Sequence, residues 1–490
     1  MIISTVSLLA SIPVAVDFRP IDTSLEFSIT QLTNSFRRQA LDIGFKTDQT
    51  GRVNSHHSSG LHCPTFSLRL ARVGIPCFLA VIASTLTIFA SVDPALDWPG
   101  WRGPTHDGIA APGQNPPVKW SESENVLWKA PVPGRGHGSP TVVGERIYLA
   151  AADPTRGTQS VLCLDRLTGK LVWQTEVHGG GADPGKHSNS SAASSTVACD
   201  SEQLFINFLN KGAVYTTALA LDGKVLWQQK ICDFVTHQGF ASSPVLYESL
   251  VLVSADNRGG GALAGLDRKT GKIVWSIPRP KIPNYTSPAV FRASGQTQMV
   301  VAGCNLMTSL DPMTGKKLWE VNGSTEECVG SVVTDGTRVF AGGGYPKNHT
   351  AAYAADGSGK VVWQNTARVY VPSMIVKAGH LYAVLDAGMA VCWKSDTGEE
   401  LWKERLGGDF FASPVMVDDR IYASNVSGIT SVFEATPGSF KLLSQNQIGD
   451  EAYASPVICG GRIYLRVAKR GDSRQEYLYC VGTTGSQALR

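Results

Sequence analysis

The chain has 490 residues, with 44 Lys and Arg against 41 Asp and Glu, a formal charge of +3. So small a surplus excludes a charge-driven nucleic-acid or acidic-polymer partner. Apolar residues make up 43% and charged residues 17%, with 50 glycines and 11 tryptophans, which is the composition of a turn-rich all-β repeat protein.

The front of the chain differs from the rest. Residues 1–67 are Ser-rich and carry no repeat. They read as an extension, either a disordered tail or the product of a start codon placed too early. In residues 68–92, Arg69 and Arg72 precede an uncharged apolar run from Val73 to Val92, and the small residues Ala90 and Ser91 sit near its end. That is the layout of a secretory signal or, if uncleaved, of a membrane anchor. The chain is therefore expected to be exported, to the periplasm or cell envelope, with membrane contact only through 73–92. Residues 93–119 form a leader containing Trp98-Pro99-Gly100-Trp101-Arg102-Gly103-Pro104, and 120–490 form the repeat body.

Within the body, Ser-Pro followed eight residues later by Ile-Tyr recurs at Ser139/Ile147, Ser413/Ile421 and Ser455/Ile463. Weaker copies start at Ser195, Ser243, Ser287, Ser331 and Ser373, so starts are 40 to 56 residues apart. A second signature follows in each unit: a small residue, x, Asp, then Thr-Gly-Lys, then Trp. Asp165 leads to Thr168-Gly169-Lys170 and Trp173, and Asp267 to Thr270-Gly271-Lys272 and Trp275. Asp311 leads in the same way to Trp319, Cys392 leads through Thr397-Gly398 to Trp402 with Lys394 in place of Asp, and shortened copies end on Trp227 and Trp363. Each signature reads as a hairpin in which Asp bonds the turn backbone and Gly takes a positive φ. Two hairpins make a four-stranded unit of about 45 residues, the period of a propeller blade. The final unit lacks a Trp strand, whereas one precedes the first unit at Asn125-Val126-Leu127-Trp128-Lys129. The spacing thus predicts an all-β, eight-bladed β-propeller of four-stranded antiparallel blades, with the N-terminal strand near Trp128 joining the last blade and closing the ring. Trp128, Trp173, Trp227, Trp275, Trp319, Trp363 and Trp402 are its structural wedges between blades.

The ten cysteines include no C-x-x-C pair, and Cys163 and Cys392 share a repeat position with Ala220, Gly265, Ser309 and Ala354. They read as small buried residues and not as a disulfide framework. The glycine runs 259–261 and 342–344 read as hairpin loops.

The repeated Asp-x-x-Thr-Gly-Lys-x-x-Trp resembles the tryptophan-docking motif of quinoprotein-type (PQQ-like repeat) eight-bladed β-propellers. That group holds PQQ alcohol dehydrogenases and a BamB-like non-enzymatic branch, and the resemblance is to the latter. The leader is similar to the W-P-x-W-R-G-P segment of bacterial PQQ-like propellers, which implies packing of Trp and Arg against the ring, with a ligand role for Arg102 as the alternative. In the dehydrogenases an adjacent cysteine pair, a Trp floor, a calcium shell and a catalytic Asp hold PQQ, and no Cys-Cys dipeptide occurs here. No cofactor, metal or catalytic residue is therefore expected. A PQQ- and Ca²⁺-dependent oxidoreductase is the alternative, and a carbohydrate-related role is a third reading.

The expected function is binding of another envelope protein, or an extracytoplasmic ligand, through the rim of loops that lead into the inner strands. Just before the Ser-Pro signatures these loops carry His137, Phe240, Tyr285, Tyr370, Phe411 and Tyr453. The longest also carries His178, Asp183, Lys186, His187 and Asn189, and neighbouring loops add Asp256, Asn257, Arg258, Asn305, Asp386 and Asn425. Aromatic rings at a channel mouth can stack on a ligand, and the amides and acids can orient it.

Overall fold

The computed structural model describes residues 91–187 and 189–483. The extension 1–67, the apolar run as far as Ala90, Cys63 and Cys77 lie outside the described residues. The body forms eight four-stranded antiparallel sheets in a ring. Blade 1 opens with the short inner strand Thr141–Val143, continues through Arg146–Asp153 and Thr158–Asp165, and ends on the outer strand Leu171–His178. Six more blades follow in order, each outer strand leading across to the next inner one. The eighth has only three strands of its own, Val457–Cys459, Arg462–Arg470 and Arg474–Val481. Its fourth is Val126–Val132, which pairs antiparallel with Arg474–Val481 so that Trp128 faces Cys480.

The two sequence signatures meet inside blades 1, 2, 5, 6 and 8. The aromatic residue of Ile-Tyr lies on the second strand and packs on the Trp of the outer strand. Ring centroids are 6.1 Å apart for Tyr148 and Trp173, 6.2 Å for Tyr382 and Trp402, and 6.2 Å for Tyr464 and Trp128. Such pairs add about 1 kcal/mol beyond area burial.

Between blades, the rings of Trp128, Trp173, Trp227, Trp275, Trp319 and Trp363 each lie on the glycine of the second turn of the next blade. The Trp173, Trp227 and Trp363 indoles donate to the Leu221, Arg268 and Ser395 carbonyls at 3.0, 2.8 and 2.9 Å. Trp128 does the same across the joint of blades 8 and 1, donating to the Arg166 carbonyl at 3.2 Å. The turn glycine faces the ring. Gly271 has a φ of +72°, and a β-carbon there would stand 2.6 Å from the Trp227 ring. Glycine is thus required twice, by backbone conformation and by the neighbouring indole. The turn Asp bonds as its type suggests: Asp267 Oδ1 accepts from the Thr270 amide at 2.8 Å and its hydroxyl at 2.7 Å. Trp319 departs from the rule, donating to Gln298 Oε1 of its own blade at 2.8 Å.

Blade 7 lacks the wedge, because Ser444 pairs with Val432 where Trp402 pairs with Cys392 in blade 6. The start of the body, ahead of the N-terminal strand, supplies it. Trp120 is buried and stacks on Tyr422 with centroids 6.3 Å apart and planes 14° apart. Its amide is held by Asn446 Oδ1 at 3.0 Å.

A second belt runs around the channel. The amide of Ser243 donates to the Ser287 hydroxyl, Ser373 to Ser413, Ser413 to Ser455 and Ser455 to Ser139, at 2.9 to 3.1 Å. The Ser of the Ser-Pro signature is therefore a joint between inner strands. Blade 2 is offset by one residue. Thr196, not Ser195, accepts from the Ser139 amide at 3.0 Å, and the Ser195 hydroxyl is buried without a partner. The run 342–344 differs from the loop expectation too: Gly342 and Gly343 end a strand, opposite Thr350 and His349. There Val369 leaves no room for a β-carbon on Gly342.

The eight described cysteines are free, seven are buried, and burial pushes the Cys163, Cys199, Cys392, Cys459 and Cys480 thiols up to about 12.

Candidate functional site: a funnel with a tryptophan floor

The blade geometry gives the ring two unlike faces. On one lie the Thr-Gly-Lys turns and the turns after the inner strands. The leader crosses this face. Trp98 exchanges backbone hydrogen bonds with Val142, the Cys199 amide donates to the Pro99 carbonyl at 2.8 Å, and the Gly460 amide to the Ala95 carbonyl at 3.0 Å. Arg102, 3% exposed, donates to the carbonyls of Pro414, Met374 and Asp107 at 3.0, 2.6 and 2.5 Å. Burial pulls its guanidinium down to about 10. Its φ of +66° is costly for a non-glycine, by about 1 kcal/mol, and these bonds hold it there. Arg102 is consequently a clamp between blades and does not line the cavity described below. Trp101 reaches further in, and its indole donates to the Ser331 hydroxyl of the inner belt at 2.9 Å.

The other face opens into a funnel of about 270 Å³ whose wall includes Trp101 as well as the mouth aromatics. His137, His187, Asn189, Phe240, Tyr285, Tyr370, Asp386, Phe411 and Tyr453 all line it. His137 stacks on Tyr453 with centroids 4.3 Å apart and planes 22° apart, and Phe411 adjoins the same Tyr453 at 5.9 Å. Burial, with Arg135, Arg466 and Arg474 adding to it, holds the His137 imidazole well below its ordinary pKa and hence neutral. Phe240 and Tyr285 are buried deeper in the wall, at 9% and 8% exposure.

Of the residues expected on this rim, His178, Asp183, Lys186, Asp256, Asn257, Arg258, Asn305 and Asn425 do not line the funnel. Asn257 is buried and staples its own loop, accepting from the Gly259 and Val235 amides at 2.7 and 3.1 Å. Asn425 does the same for Ser427 and Ile429, both at 3.0 Å. Asn305 adopts a left-handed φ of +62° in a turn. Arg258 is exposed, with its guanidinium 3.0 Å from His237 Nε2. The polar types at loop positions thus divide into turn formers and funnel lining. In the long loop, His178 packs on Phe208 and Tyr215, and burial and Lys211 pull it down to about 4. Among the described residues no group of three His, Cys, Asp or Glu could hold a metal ion.

Behind the wall lies an acid that the loop pattern did not reveal. Glu327, buried, accepts from the Tyr370 hydroxyl and from Gln238 Nε2, both at 2.9 Å. Its other oxygen is 3.3 Å from His237 Nε2. The available signal was a charged residue in the otherwise apolar run Glu327-Cys328-Val329-Gly330. Asp386 accepts from the Tyr370 and Val371 amides at 2.8 and 3.3 Å, while burial pushes its carboxyl up. Both acids are therefore committed to the wall.

A family described as outer membrane protein assembly factor BamB matches residues 109–234 and 157–404. The BamB of Yersinia pestis is 26% identical over 382 residues, covering 71% of this chain and 92% of the relative. The BamB of Burkholderia pseudomallei is 25% identical, covering 69% and 84%. Among solved structures, BamB from Moraxella catarrhalis superposes with a TM-score of 0.52 at 15% identity, covering 74% of this chain and 98% of that one. A europium-containing methanol dehydrogenase superposes with a TM-score of 0.60 at 12% identity, covering 80% and 98%. At such identities the solved structures speak for the fold alone.

Proposed function

Because the chain belongs to the family of the outer membrane protein assembly factor BamB, we propose that it is an exported, non-catalytic propeller that binds a protein partner in outer-membrane assembly. The observation that carries this reading is the family match over most of the ring. The partner surface is the funnel rim, where Tyr370, Phe411 and Tyr453 stay partly exposed at the ends of loops held rigidly by the ring. Large, stiff aromatic residues at a rim are suited to anchoring a partner at low entropic cost. Segment 68–92 directs export and, if retained, anchors the chain to the membrane, and the leader 93–119 and body 120–490 act as one binding unit.

A photo-crosslinking residue in place of Phe411 or Tyr453 in the full chain tests this. Capture of a component of the outer-membrane assembly machinery from those positions supports the reading. Capture from Leu226 on the outer edge of blade 2, which is 44% exposed, with none at the rim, contradicts it.

A further inference from the structure

We propose that the funnel is also a binding site for a neutral sugar ring. This does not rest on the partner reading. Three features of the wall select that chemistry. The first is apolar: the aromatic rings, with the Trp101 floor, suit the C–H face of a pyranose. The second is unpaired polarity. Tyr285 is 8% exposed and lines the funnel, and its hydroxyl is buried without a hydrogen-bond partner. Burial pushes that phenol's pKa up, Glu327 adds to the shift and a Gln238 backbone contact too loose to count as a hydrogen bond opposes it, so the hydroxyl keeps its proton. His137 Nε2 is buried without a partner in the same wall. Buried polar atoms left unpaired are costly, and a ligand that pairs them recovers that cost.

The third feature is charge. Asp386 is held by backbone amides, and Glu327 by Tyr370 and Gln238. Arg368 donates to the Gly344 carbonyl at 2.7 Å and lies over the Tyr370 ring. Arg368, the charged side chain of the lining, lies 3.9 Å from Asp386 Oδ1, so the two oppose each other, and His137 is neutral, which leaves no unopposed charge facing the cavity. Belt serines complete the lining: Ser243, Ser287 and Ser455 each accept an amide hydrogen, which leaves their hydroxyl protons for an acceptor in the channel. A ligand with one apolar face and a rim of groups that both donate and accept answers all three features. The volume of about 270 Å³ falls just short of the roughly 300 Å³ at which drug-sized sites begin, a space for one small ring.

Calorimetric titration of the full chain with D-glucose, N-acetyl-D-glucosamine and tyrosinamide tests the proposal. Saturable one-site binding of at least one sugar is expected, weakened roughly tenfold by Tyr285→Phe with the denaturation midpoint unchanged. If that variant does not fold, His137→Gln takes its place with the same expectation. Trp101 is the one tryptophan lining the funnel among the described residues, so Trp101→Phe should abolish the sugar-dependent change in indole fluorescence. Absence of saturable binding by both sugars, equal affinity in the wild type and these hydrogen-bonding variants, or preference for tyrosinamide overturns the proposal. Partner capture is read separately, so either result can fail while the other stands.

Discussion

The two faces of the ring are built by different rules. On the turn face one contact is repeated from joint to joint: an indole donating to the carbonyl of the next turn, above a glycine that cannot be replaced. On the funnel face the loops differ in length and content, and polar atoms such as those of Tyr285 and His137 are left unpaired. Where every group is satisfied by a neighbouring blade, the residues serve the fold. Where an unsatisfied group also lines the cavity, as those of Tyr285 and His137 do, it is free to serve a ligand or partner, whereas Arg102 Nε and Trp120 Nε1 are unpaired away from the funnel.

That contrast can be broken most severely at the wedges. Trp128→Ala should lower stability by about 3 kcal/mol in chemical denaturation, since it removes the joint between the last and first blades. Trp120→Ala, outside the repeat body's signatures, should cost a similar amount because it fills the place vacated at Ser444. A loss within about 0.5 kcal/mol would make Trp120 a surface covering and not a wedge. Gly271→Ala should cost about 2 kcal/mol, from the positive φ and the contact with Trp227 together.

The turn carboxylates sharpen the contrast through pH. The Thr270 hydroxyl and amide hold the Asp267 carboxyl below its ordinary value. A depressed folded pKa means the contribution is present above the unfolded value, about 3.9, and is lost as pH falls through the lower folded value. The stability gap between the wild type and Asp267→Asn should therefore be full at neutral pH and shrink only in that acid range. On the funnel face, Tyr453→Ala should change stability by about 1 kcal/mol or less while reducing partner capture. The smallest effect is chemical: with their thiols raised and buried, Cys163 and Cys392 should resist alkylation in the native state and react on unfolding.

The eight blades were legible because their wedges, turns and belt serines recur in register, and recurrence is visible in a single sequence. The residues that the pattern missed are those without a counterpart in other blades. Trp101 comes from the leader and Trp120 from the stretch just before the N-terminal strand, where nothing periodic marks a residue that fills a channel or replaces a wedge. Glu327 reaches the funnel only through Tyr370 and Gln238, contacts between loops far apart in sequence. Asn257 and Asn425 misled for a local reason: an amide in a tight loop bonds its own backbone, and composition cannot separate that use from ligand binding.

The central claim is that Val126–Val132 is a working strand of the last blade. Amide hydrogen exchange on the full chain tests it directly. Val126–Val132 should be protected to the same degree as the outer strand Leu171–His178 of blade 1, and Trp128→Ala should release it together with Arg474–Val481. Free exchange along Val126–Val132 in the native protein, with Arg474–Val481 still protected, would contradict the account.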